Sequence, residues 1–259
     1  MKFLFVDEFK PGGSSGANKL YGISIVMIDS AYYTTYKRGF EKEFEKLGWT
    51  KEKELKGRYT YSKAVFENIT IEQRINFTEE LFKLSSSKSG KSKHISIYVC
   101  FDYFAKDFEE HDIYIDLLSR IFKKICKPIN SKLGKNLIAF LLDDNEVVTK
   151  RVSEAEFYNL VAEKLHKKWI IFEKPLFIRS SSLSPGLIFA DFVSYFHQNF
   201  IDTRRFFNAT KNRFLELLSK EESQLTPEER QELGKYITNY KKQKQSSRII
   251  TILKEVIYV

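Results

Sequence analysis

Apolar residues fall along this 259-residue chain in two rhythms, short unbroken runs and longer stretches at helical spacing. The first run, Phe3-Leu4-Phe5-Val6, stops at Asp7 and Glu8. A continuous apolar run of that length is too short for a helix and reads as a buried central strand. Residues 20–28 read as a second strand. Between them, residues 9–19 carry Pro11, Gly12, Gly13, Ser14, Ser15 and Gly16, which predict the wide loop of an antiparallel hairpin. That loop lacks the GxxxxGK[ST] pattern of a phosphate cradle. Residues 94–101 and 137–142 read as two more strands. Short apolar pieces at 169–172 and 176–178, either side of Pro175, read as one interrupted strand.

Helical spacing appears first at Tyr32, Tyr36, Phe40, Phe44 and Leu47, with Gly48 as the stop. A second helix is predicted over 69–84, where Thr70 and Gln73 match a capping box. Others are expected over 108–125 and 154–167. Ser184 and Pro185 open a helix that runs to about residue 200. That helix is apolar nearly all round, so it should be buried. Residues 203–245 read as more charged helices, with Thr226-Pro227-Glu228-Glu229 as a clear start. The apolar end, 248–259, fits either a strand or a short helix.

Composition narrows the partners. There are 43 Lys plus Arg against 34 Asp plus Glu, a formal net charge of +9, which suits a polyanion and nucleic acid first. A general lysine bias would give the same balance. The linker 85–93 (SSSKSGKSK) places Lys88, Lys91 and Lys93 where they could meet a phosphate backbone. The mixed-charge stretch 51–58 holds Lys56 and Arg58 beside Tyr59, Tyr61 and Ser62, a pattern shared by solvated connections and substrate contacts. Cys100 and Cys126 have no CxxC spacing and fit buried reduced thiols in a cytoplasmic protein. No stretch approaches the roughly 20 apolar residues of a membrane span, and the opening run is too short for a secretory signal.

The chemistry lies in acids whose surroundings make them costly. A carboxylate beside a core needs a partner or a cation. Asp7 ends the first strand, the strand at 137–142 runs into Asp143-Asp144, and Asp191 stands in the middle of the most apolar helix. Parallel neighbouring strands would bring the first two exits to one edge, where open α/β sheets place their sites. Glu54 is a further candidate. Turn capping is the alternative for Asp7, Asp143 and Asp144, and a solvated charge is the alternative for Glu54. Gathered acids of this kind suit Mg²⁺ or Mn²⁺, which take oxygen ligands, and two-ion phosphodiester hydrolysis. His94, His111, His166 and His197 lack metal-ligand spacing, and no GxSxG elbow is present.

Four motifs carry a resemblance: FVDE at 5–8, ELKG at 54–57, the acid pair at 143–144, and SPGLIFADFVSYF at 184–196. Over about residues 1–200 the chain resembles the domain of unknown function family 3800, which is similar to RNase H-like folds. The resemblance implies Asp7, Glu54, Asp143 or Asp144, and Asp191 as metal-binding acids, with Lys56 as a nearby basic contact. Phe9-Lys10 departs from the small Ser-Gly turn usual there.

The expected fold is therefore α/β and RNase H-like, with a mixed sheet of about five strands and helices on both faces. Residues 1–202 would form that domain and 203–259 a helical C-terminal extension. The expected function is Mg²⁺- or Mn²⁺-dependent nuclease action on DNA or RNA, with Asp7, Glu54, Asp143, Asp144 and Asp191 as the reacting-site acids. Lys56, Arg58, Lys88, Lys91 and Lys93 would contact nucleic acid. A non-catalytic nucleic-acid- or partner-binding protein, or a phage-defence or toxin component, is the alternative.

Overall fold

The structure is a computed structural model that describes residues 1–10, 18–49, 54–62, 68–86, 94–105, 107–125, 136–143, 159, 169–171, 176–178, 184–253 and 256–259. The loop 11–17, the linker lysines Lys88, Lys91 and Lys93, Asp144, Cys126 and most of the helix expected at 154–167 lie outside them.

One mixed sheet organises the chain. Its strands are β1 (Lys2–Phe9), β2 (Asn18–Asp29), β3 (Ile95–Ala105), β4 (Asn136–Asp143), β5 (Trp169–Ile171), β6 (Leu176–Ile178) and β7 (Val256–Tyr258). The order is β5-β4-β1-β2-β3-β7, with β6 also on β4. β2 is antiparallel to β1 and β3, and β4 is parallel to β1. β5 and β6 pair in turn with the two halves of β4, which realises the interrupted strand. This is the mixed α/β sheet expected, with helices on both faces, wider than five strands because β6 and β7 add to it.

Alternation along β1 sorts the two faces. Leu4 and Val6 point into a core with α3 (Glu110–Ile125), whose Ile113, Leu117, Ile121 and Phe122 are buried there. Phe5 and Phe9 point to the other face, covered by α1 (Ser30–Leu47), α2 (Ile71–Ser86) and α4 (Pro185–Ser219). Local signals start and stop these helices. Gly48 takes a left-handed φ of 70° and ends α1. Thr70 and Gln73 close a reciprocal capping box at α2. Thr226 and Glu229 do the same for α5 (Pro227–Ile252).

The expected boundary at 202/203 falls within α4, a single helix of 35 residues. Beyond it, α5 packs back on α4 around Leu217, Leu225 and Tyr236. The chain end is both of the things its pattern allowed: α5 reaches Ile252, then β7 pairs parallel with β3. His197 of α4 helps hold β7 in place. Its Nδ1–H donates to the Val193 carbonyl (2.7 Å), leaving Nε2 to accept from the Tyr258 hydroxyl (3.2 Å). Among the described residues, no helix is long and apolar enough to cross a membrane.

Phe9 has a packing role. β1 continues to Phe9, opposite Gly22, and a Cβ on Gly22 would lie 2.0 Å from the Phe9 ring. A bare strand position lets the ring lie flat on the sheet.

Candidate active site

Three elements and one turn bring acids to a single cleft. Val6 pairs with Leu142, so the next residues, Asp7 near the end of β1 and Asp143 at the end of β4, lie side by side on the face that α4 covers. Ser24 of β2 sits opposite Asp7 on the other side. Asp191 arrives from α4. Gly186 lets that helix descend onto β1, since a Cβ there would stand 2.4 Å from the Phe5 ring. Glu54 arrives from the segment before the 3-10 turn at Gly57–Thr60. Asp7, Glu54, Asp143 and Asp191 line one cleft of about 320 Å³, part of it open solvent, walled by Leu55, Leu187 and Ile188.

The turn is fixed from both sides. The Gly57 N–H donates to Asp191 Oδ2 (2.5 Å), and a Cβ on Gly57 would lie 3.1 Å from the Phe192 backbone. Arg74 of α2, buried, donates to the carbonyls of Tyr59, Ser62 and Thr70. The helix that carries Asp191 is thus tied to the segment that carries Glu54. Lys56 Nζ pairs with Glu54 Oε1 at 3.0 Å. Arg58 lies over the Tyr59 ring with its charge attracted towards Asp191 and Glu54.

These acids repel one another. Burial holds the Asp7 carboxyl well above the usual carboxylate range, and Asp191, Glu8 and Asp143 push it further against a hydrogen bond from Ser194. Asp191 is pushed up to about 6, by burial first and then by Glu54 and Asp143, against the pull of Gly57 N–H and Lys56. An anionic cluster that Lys56 offsets only in part, in a partly dry cleft, is the setting that a hard cation relieves. The donor set, all carboxylate oxygen, fits Mg²⁺ or Mn²⁺. Among the described residues, however, no three ligating side chains are already closed into a metal cage. Asp191 and Glu54 are each engaged by a protein donor, Gly57 and Lys56.

The structure therefore brings together Asp7, Glu54, Asp143 and Asp191, with Lys56 and Arg58 at the rim. Asp144, Lys88, Lys91 and Lys93 fall outside the described residues. Sequence reasoning missed the Ser24–Ser194 pair, whose hydroxyls lie 2.5 Å apart. Ser194 follows Asp191 by three positions, so helical spacing could have pointed to it. The donating Gly57 N–H leaves no sequence signal beyond the glycine itself.

No protein-family model and no curated protein matches this chain. A solved structure, the ribonuclease H2 from Pyrococcus horikoshii OT3, is similar at 13% identity over 96% of this chain and 99% of that one, with a TM-score of 0.37. Likeness at that level bears on neither residues nor activity. The fold class rests on the strand order and the layers.

Proposed function

We propose that this protein is a nuclease that hydrolyses phosphodiester bonds of DNA or RNA with Mg²⁺ or Mn²⁺. The observation that supports the reading is the meeting of four carboxylates, distant in sequence, in one cleft. Asp7, Glu54, Asp143 and Asp191 would hold the cation. The bound ion supplies positive charge that lowers the pKa of a water and steadies a leaving oxygen. Asp7 and Asp143, from adjacent strands, set a rigid floor. Asp191 is kept in orientation by Gly57 N–H. Lys56 offers an ammonium group within reach of the same cleft, which suits a substrate phosphate oxygen. The apolar walls Leu55, Leu187 and Ile188 limit water and strengthen these charges.

Labelled DNA and RNA incubated with purified protein and Mn²⁺ should be cleaved, and EDTA should stop the reaction. Asp191→Asn should lose at least 100-fold in rate, on the order of the loss when an electrostatic stabiliser is removed. Cleavage that persists in EDTA, or in Asp191→Asn at the original rate, rejects the reading.

A further inference from the structure

The flank of α4 that carries Asp191 continues past the cleft. Asp191, Gln198 and Arg205 are spaced by seven residues, so they lie nearly in line along one side of the helix. Each touches the end of the sheet where β1 and β3 finish. Asp191 adjoins Asp7, the Gln198 side-chain amide donates to the Lys10 carbonyl (2.8 Å), and the Arg205 guanidinium lies 5.2 Å from the centre of the Tyr103 ring. The fourteen positions from Asp191 to Arg205 make a track of about 21 Å at the helical rise.

At its far end the sheet shows aromatic faces. Register places Asp7, Ser24, Val99 and Tyr258 in one row across β1, β2, β3 and β7. Phe101 and Tyr103 follow Val99 at period two, so they share its face, the face of the carboxylates. The Tyr258 hydroxyl reaches His197 of α4 from that same side. Yet Phe101 is 36% exposed, Tyr103 48% and Tyr258 54%. Three large rings partly exposed on one face, beside an arginine on a chain of net charge +9, form a patch with a definite complement. Its occupant must offer flat π-surfaces to the rings and negative charge to the guanidinium. Unpaired nucleotides do both, whereas duplex bases keep their faces stacked on each other.

We infer that Phe101, Tyr103, Tyr258 and Arg205 form a stacking platform for a single-stranded stretch of nucleic acid, joined by the α4 flank to the carboxylate cleft. The inference builds on the nuclease reading by naming an unpaired strand as substrate. Two strand spacings and four residues separate Asp7 from Tyr103, about 16 Å, or about five stacked nucleotides. The platform therefore engages bases some steps from the bond that is cut.

Binding measured in EDTA separates this inference from catalysis. Fluorescence anisotropy with labelled oligo(dT) and oligo(U) should show single strands held more tightly than a duplex of equal length. Tyr103→Ala and Phe101→Ala should each weaken single-strand binding about tenfold, within the range for one lost base–aromatic stack. Tyr103→Phe should keep it, because the ring remains. Leu218→Ala, an exposed apolar residue on the distant part of α4, should bind as the unaltered protein does. Duplex preference, or wild-type affinity in Tyr103→Ala and Phe101→Ala, overturns the platform while leaving the carboxylate reading intact. Cleavage absent with all metals alongside the expected binding pattern rejects the nuclease reading and retains the platform.

Discussion

A single carboxylate shows what gathering the acids costs in stability. Asp191 ionises in the unfolded chain near 3.8 and in the fold only at about 6. As pH rises through that window, the unfolded state releases its proton first, so folding loses stability, and the full loss is present above pH 6. Two units correspond to about 3 kcal/mol, an upper figure because the neighbouring acids titrate together. Asp191→Asn removes the charge and keeps an oxygen to accept from Gly57. In EDTA at pH 7.5 the variant should melt higher than the unaltered protein, by at most about 6–12 °C. The gap should close by pH 4. Adding Mn²⁺ should raise the melting temperature of the unaltered protein and not that of the variant. Equal melting in EDTA at pH 7.5 would show that Asp191 bears no such penalty.

Among the elements, α4 does most to build the site, and its approach to β1 depends on one missing methyl group. Gly186 is where the helix meets the Phe5 ring, five residues before Asp191. Gly186→Ala forces the two apart, at a cost of about 1–3 kcal/mol for overpacking. It should also lift Asp191 from Asp7, so the Mn²⁺-induced rise in melting temperature should shrink while circular dichroism keeps its helical shape. A variant that responds to Mn²⁺ as strongly as the unaltered protein would separate the helix approach from the site. The same helix explains why the opening motif of residues 184–191 was legible: Ser184 and Pro185 mark the start, Gly186 the contact, and Asp191 the charge. The turn at Gly57–Thr60 was not legible, because Arg74 holds it from another helix through backbone carbonyls of any residue type.

Across the whole molecule, α5 packs back on α4 and the chain then returns to the sheet as β7. β7 returns from α5 to cover the β3 edge, which would otherwise present unpaired backbone groups. The basic excess then has a place to act, since Lys56, Arg58 and Arg205 sit at the cleft rim and along the α4 side of the sheet. If these three meet phosphates, log affinity for a single strand should fall against log salt with a slope of about −2. A flat line from 50 to 300 mM salt would show that the charge serves something else.

Local pattern alone determined the strands other than β7 and most helices, because apolar runs, periodicity and caps act within a few residues. It also singled out Asp7, the pair Asp143–Asp144 and Asp191, since a charge next to an apolar run is costly wherever the chain goes. Only the tertiary structure decided that Asp143 shares a row with Asp7, that Glu54 comes to the same cleft, and that Phe101, Tyr103 and Tyr258 face one way. Those facts depend on strand order, register and the path of α4. Such pairings are fixed by packing between distant segments, which leaves no mark on any one of them alone.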